Sequence, residues 1–353
     1  MYLISDWFKK NLSNQEVVFL AFVLLLVFSI IVLLGDILAP VLASIVIAYL
    51  LEGIVKAMQR SRVPRLLAVA FVFVVFLLSL TILIFGLLPL LSHQLSEVVQ
   101  QIPNILARGQ EALLRLPSKY PEILSVDQVK EMISVLRQEL TSWGQQVLTL
   151  SLSSVVGLIT ILLYLVLMPI LVFFFLKDKT TILNWLLRYL PTDYRLAHRV
   201  WLDVDKQIAN YIRGKFWEIL IVWIVCFFTF TFLGLQYAML LGLLVGLSVL
   251  VPFVGAAVVT IPVCLIAWFQ WGWSSEFMYV TIAYLVIQAL DGNLLVPILF
   301  SEVVNLHPVA IITAVLIFGG IWGIWGVFFA IPLATLVQAV LSTWPQIADE
   351  KNI

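Results

Sequence analysis

Apolar runs of similar length, parted by short polar segments, set the pattern of this chain. Val17–Leu34, Ile37–Val55, Leu66–Leu91, Leu152–Leu176 and Phe216–Leu233 are each 18 residues or longer. A run of about 18 or more apolar residues can cross a hydrocarbon core of roughly 30 Å. The pattern therefore predicts a series of helical spans. Gly35-Asp36 reads as a tight turn between the first two, with Pro40 in the first turn of the second, where a missing N–H costs little. The first run ends without a small-residue cleavage signature, so a retained helix is expected. Pro169 is expected to kink the fourth span.

Beyond Leu233 the pattern changes. Ala238–Gln270 and Val309–Leu341 are apolar stretches of 33 residues each, and both are interrupted. Breaks fall at Pro252 to Gly255 and at Pro262 in the first, and at Gly319, Gly320, Gly323, Gly326 and Pro332 in the second. Half of such a stretch is about 24 Å long at 1.5 Å per residue. That is short for a crossing and suits a hairpin that dips in and returns. Each stretch follows one span, Phe216–Leu233 or Phe277–Leu290, so the last third reads as one unit written twice. The competing reading makes each stretch one or two ordinary spans, kinked by proline and packed through glycine. The expected fold is all-α: a polytopic membrane protein of about six to eight spans. Its two re-entrant hairpins would form an inverted repeat, a plan that recurs in secondary transporters.

Composition and charge add sidedness. The chain is 63% hydrophobic and 11% charged, with mean hydropathy +1.10, against about 25% charged in globular domains. Net charge is zero, yet Lys56, Arg60, Arg62 and Arg65 stand together without an acid. Residues 177–215 hold eight basic and four acidic side chains. Both segments are expected in the cytoplasm. Residues 92–150, with five basic and six acidic side chains, belong on the opposite face. There Ile123, Val126, Val129, Ile133, Leu136 and Leu140 mark one buried helical face. The expected organisation is spans one to three over 1–91, an extracytoplasmic helical region over 92–150 and a fourth span over 151–176. A basic cytoplasmic segment over 177–215, a transport module over 216–341 and a tail over 342–353 complete it. Basic residues beside spans signal topology and lipid contact, and no nucleic-acid partner is expected. Cys226 and Cys264 lie inside apolar runs and do not suggest a disulfide framework.

The candidate chemistry centres on Gln288–Pro308. Asp291, Gly292, Asn293 and Pro297 interrupt apolar sequence there, and no Lys or Arg occurs from Phe216 to Glu350. An acid within a span is a functional-site hypothesis by default. Asp291 and Asn293 would supply charge and hydrogen bonds at a break between helices, and Gly292 a close backbone approach. Pro252, Pro262, Pro297 and Pro332 would free carbonyls toward a cavity, with Gly255 at the first hairpin's break. Gly319, Gly320, Gly323 and Gly326 would let the second hairpin pack tightly. Glu52 is either a second intramembrane acid or an interfacial partner of Lys56 one turn on. His307 is either a proton relay to Asp291 or a turn residue before Pro308. The three histidines lie in separate polar segments, so neither a catalytic group nor a metal site is expected, and no cofactor.

The stretches ALDGNLLVPILFSEVVNLHP, FGGIWGIWG, AIPLA, LVGLSVLVPFVGAAVVTIP, MPILVFFFLKDK and NYIRGK together resemble the autoinducer-2 exporter family of permeases. The likeness covers nearly the whole chain. Many members carry Glu where this chain has Asp291, and many carry Asn-Pro or a similar pair at Glu52-Gly53. The resemblance implies a multispan inner-membrane permease, commonly homo-oligomeric, exporting an autoinducer-2-like solute or exchanging cations for protons. Three functions are therefore weighed: a secondary transporter of a small polar solute, a sodium or lithium/proton antiporter, and a non-transporting scaffold or receptor acting through 92–150. No nucleotide-phosphate loop is present, which speaks against direct use of ATP.

Overall fold

In the computed structural model, residues 15–114, 155–188, 195–252, 254–300 and 306–343 are described, with isolated positions between 127 and 142. Most of the expected 123–140 helical face, and the 342–353 tail beyond its first two residues, lie outside the described residues. Every described element is helical: α1 Gln15–Arg60, α2 Arg65–Ile82, α3 Leu88–Leu114, α4 Val155–Lys177, α5 Lys179–Leu187 and α6 Arg195–Phe232. Then come α7 Ala238–Ser248, α8 Val254–Trp271, α9 Ser275–Leu290, α10 Val296–Phe300 and α11 Pro308–Thr343. Short π-helical turns join α2 to α3 at Leu83–Leu87 and α9 to α10 at Asp291–Leu295. Five of the helical segments are long and apolar enough to cross a membrane: Ile37–Arg60, Arg65–Gln110, Asp205–Phe232, Val254–Trp271 and Ser275–Phe300. Leu163–Lys177, Ala238–Ser248, Pro308–Gly323 and Trp325–Gln338 are shorter apolar helices. The all-α polytopic expectation holds.

The tight turn expected at Asp36 is absent. α1 runs unbroken for 46 residues, about 69 Å at 1.5 Å per residue, so the first two expected spans are one helix. Gly35 serves packing instead of turning. A Cβ placed there would sit 2.5 Å from Trp322 Nε1. Pro40 is carried inside the helix. Ser44 Oγ donates to the Pro40 carbonyl at 2.6 Å and lies 3.3 Å from the Met168 carbonyl, fastening α1 to α4.

Among the described residues, three apolar clusters hold the helices together. One unites α1, α2 and α4 through Val55, Val69, Val72, Val172 and Leu176. A larger one unites α6, α7, α8 and α9 through Phe230, Leu241, Val245, Val263, Val280 and Tyr284. The third joins Tyr211 and Ile212 of α6 to Phe300 of α10 and Ile331 of α11. α6 is thus common to two clusters. Gly242 and Gly246 let α7 lie directly on it: a Cβ at Gly246 would stand 2.8 Å from the Ile219 carbonyl oxygen, and one at Gly242 3.0 Å from the Phe227 nitrogen. This small-xxx-small spacing brings membrane helices into backbone contact. Elsewhere large apolar side chains face outward, as lipid requires; Phe232 is 90% exposed.

Both interrupted stretches reverse direction. Residues seven apart in a helix would be about 10 Å apart along the axis, yet a Cβ on Gly255 would overlap the Ser248 carbonyl. At the base, Gln270 closes the first hairpin by accepting from the Gln236 N–H and donating to the Gly234 carbonyl, both at 2.8 Å. The chain therefore enters and leaves at one end. In α11 the reversal centres on Gly323, at φ 59 and ψ −138, a region that side chains with a Cβ rarely occupy. A Cβ on Gly326 would overlap the Phe318 carbonyl.

Candidate functional site at the tip of the first hairpin

Asp291 lies in a π-helical turn, not at the helix break the sequence suggests. α9 is capped by Ser274, whose Oγ accepts from the Phe277 N–H. The helix then continues through Asp291–Leu295, where the Val296 N–H bonds the Asp291 carbonyl, into α10. Pro297 offers no N–H and its ring crowds the carbonyl one turn back. Widening that turn by one residue absorbs the mismatch and keeps other backbone groups paired, which lipid demands. Leu83–Leu87 repeats the arrangement, with a glycine inside and Pro89 two residues beyond. Within the π-turn, Asn293 Nδ2 donates to the Ala289 carbonyl at 2.8 Å. Gly292 has open space where a Cβ would go, so it makes no close approach to any described residue. Among the described residues, Asp291 Oδ1 is buried without a hydrogen-bond partner.

A cation does lie near Asp291: Lys215, one residue before the stretch from Phe216 to Glu350 that holds no Lys or Arg. Lys215 and Glu218 sit one turn apart on α6, 5% and 2% exposed. Lys215 Nζ lies 2.8 Å from Glu218 Oε2 and donates to the Val249 carbonyl at 2.8 Å. It also stands 5.3 Å from the centre of the Phe300 ring. Val249 caps the C-terminal end of α7, where unpaired carbonyls concentrate negative partial charge. The Asp291–Leu295 turn packs against α6, which puts Asp291 in the field of the opposite charge of Lys215 and the like charge of Glu218. Gly214 admits Phe300, since a Cβ there would stand 2.7 Å from its ring. One turn earlier, Tyr211 donates to the Phe328 carbonyl of α11 at 3.0 Å. Two turns of α6 thus meet the first hairpin's tip, α10 and the second hairpin's return arm.

Other expected site residues fall elsewhere. Glu52 pairs with Arg65, both oxygens at 3.3 Å, and Arg65 also donates to the Leu176 carbonyl at 2.7 Å. Lys56 is exposed and is not its partner. His307 is exposed at the start of α11, its Nδ1 accepting from the Val309 N–H at 3.3 Å, the geometry of a turn residue. Pro252 and Gly255 shape the first hairpin's tip, and Pro262 lies within α8. Gly319 packs on Val327, while Gly320 and Gly323 face open space. Pro332 lies buried in the return arm. Among the described residues no group of three His, Cys, Asp or Glu could hold a metal ion. Part of the 92–150 region is described: Gln94 Oε1 accepts from the Leu240 N–H at 3.0 Å, and Arg108 donates to the Phe269 carbonyl at 3.3 Å. It therefore docks on the open end of the first hairpin.

Broken helices around a buried charge cluster, in an all-helical membrane fold, define a membrane transport protein. A family model described as AI-2E family transporter matches residues 18–346, and the chain belongs to that family. It is 45% identical over 350 residues to the provisionally named permease PerM of Escherichia coli strain K12, covering 99% of each chain. It is 26% identical over 342 residues to the provisionally named transport protein YueF of Bacillus subtilis strain 168, covering 95% of this chain and 92% of that one.

Proposed function

We propose that this chain is a secondary transporter that exports a small polar solute of the autoinducer-2 type across the bacterial cytoplasmic membrane, with no enzymatic activity of its own. The observation that carries the reading is Asp291: a carboxylate in a membrane-crossing helix, one oxygen buried and unpartnered, beside a buried Lys–Glu pair that holds a hairpin tip. Acids at such depth mark solute or ion paths, and irregular backbone there is tolerated where it lines protein or a wet cavity. The exposed residues Gly292 and Asn293 of the π-turn and Pro297 of α10 support a homo-oligomer, because an amide facing lipid is unfavourable and a second copy would cover it. The charge bias supports a path in which the first hairpin enters from outside and the second from the cytoplasm. A reporter fused after Leu341 tests it: an extracytoplasmic C-terminus rules that path out.

The site also favours a second reading. Two carboxylates face one ammonium, leaving one negative charge when all are ionised, which suits exchange of sodium or lithium for a proton. Reconstituted flux separates the two. Solute movement down an imposed gradient, lost in Asp291→Asn, supports export; sodium-driven pH change without solute movement supports the antiporter. Loss of function on deleting 92–150 with Asp291→Asn unimpaired would leave only a scaffold or receptor.

A further inference from the structure

We propose that Lys215 is a movable tether for the tip of the first hairpin, shared between Glu218 and Asp291, and that its passage between these carboxylates releases the tip. The inference rests on the transporter reading only in taking tip movement to be a step of transport; the tether itself follows from geometry. Lys215 is the one hydrogen-bond donor that any described side chain gives to the Val249 carbonyl. Its ammonium is a point charge on a flexible four-carbon stem, so it can change partners without helix motion. In the structure it is paired with Glu218. Asp291 Oδ1 is left buried without a donor although Lys215 acts on it electrostatically. A buried acceptor without a donor is unfavourable; among the described residues Lys215 is the cation that acts on it, and the likewise unpartnered Gln288 Nε2 one turn back on α9 is a neutral donor.

Among the described residues the competition is confined to these three charges. α7, α8 and α10 bring no charged side chain to the site. The other titratable groups acting on it are Tyr211 and Cys226 of α6. When Lys215 turns to Asp291, the Val249 carbonyl loses its donor and the tip is held by packing alone. Glu218 is then a bare buried charge, which is strongly unfavourable, so the exchange requires Glu218 to be neutralised. Glu218→Gln sets that condition permanently, while Asp291→Asn removes the charge that draws Lys215 away.

Full-length protein in nanodiscs, with Cys226→Ala and Cys264→Ala as background and Val251→Cys at the tip, is labelled with a soluble maleimide. Lys215→Met and Glu218→Gln should each raise the labelling rate by about tenfold, and Asp291→Asn should leave it unchanged or lower it. Opposite responses of the two carboxylate variants are what a purely structural ion pair does not give. An unchanged rate in Lys215→Met, or a shift in the same direction for Glu218→Gln and Asp291→Asn, overturns the proposal. If Lys215→Met does not fold, the contrast between the carboxylate variants decides alone. A correct labelling pattern in a protein that moves no solute would sink the export reading and leave the tether standing.

Discussion

Glu52 allows the sharpest separation of a structural acid from a transporting one. Its side chain is 8% exposed and meets Arg65, itself 31% exposed, at 3.3 Å through both oxygens. Removing one partner of a fully buried pair costs about 3–5 kcal/mol. Two features reduce that here: Arg65 reaches solvent, and 3.3 Å is long for a charge-assisted bond, which closes to about 2.7–2.9 Å. Arg65 also keeps its bond to the Leu176 carbonyl. The expected loss is therefore about 1–2 kcal/mol for Glu52→Gln, which still accepts one bond, and about 2–3 kcal/mol for Glu52→Ala, which adds a small cavity. Thermal unfolding of purified protein measures the single variants. A double-mutant cycle with Arg65→Met isolates the pair, and the coupling should account for most of the loss. Transport per folded molecule should be unchanged in Glu52→Gln. If that variant unfolds like the parent but transports nothing, Glu52 works in the solute or ion path and the structural assignment fails.

Three further outcomes are expected. Asp291→Asn should keep the fold, because its Oδ1 has no partner to lose, while solute flux in proteoliposomes drops by about tenfold or more; full flux would remove Asp291 from the mechanism. Gly246→Leu should destabilise by about 3 kcal/mol or more, since even a Cβ meets the Ile219 carbonyl oxygen at 2.8 Å; a monodisperse size-exclusion profile and parental melting would contradict the packing of α7 on α6. Gly323→Ala should cost about 1–3 kcal/mol from φ 59 and ψ −138 alone, because open space surrounds it; parental stability would argue for a continuous α11.

What the sequence made legible follows from which signals survive in lipid. Hydropathy marked the spans because every crossing helix must be apolar for its length. The two interrupted stretches were visible because Gly255 and Gly326 sit where chain reversal leaves no room for a side chain, and Gly323 takes a backbone conformation that side chains rarely adopt. Glycine and proline were less reliable as signs of breakage. Gly35 and Gly214 make room for Trp322 and Phe300, and Pro297 is absorbed by a π-turn; all three look like punctuation until the partner is known. Gly242 and Gly246 carry a packing signal that hydropathy does not register. Asp291 stood out by rarity. Its companions did not, because Lys215 and Glu218 straddle the point where a basic segment becomes an apolar run. A boundary drawn at Phe216 assigns Lys215 to the cytoplasm and leaves Glu218 alone in the span. Reading α6 as one continuous 38-residue helix puts the pair one turn apart on a single face.

That continuity also explains why the charge cluster lies where it does. A lysine buried at 5% exposure is tolerable only if its charge is matched and its other hydrogens find acceptors. Glu218 supplies the match and the Val249 carbonyl an acceptor, so the ion pair and the hairpin tip each depend on the other for compensation. The second hairpin reaches the same two turns of α6 through Tyr211 and the Phe328 carbonyl, a neutral bond that no change of charge will break. The two similarly interrupted units therefore attach to one helix by different chemistry, one through a titratable pair and one through a phenol. Loss of charge at Lys215 or Glu218 would loosen the tip of the first hairpin while the second holds, an asymmetry suited to alternating movement of two otherwise similar halves.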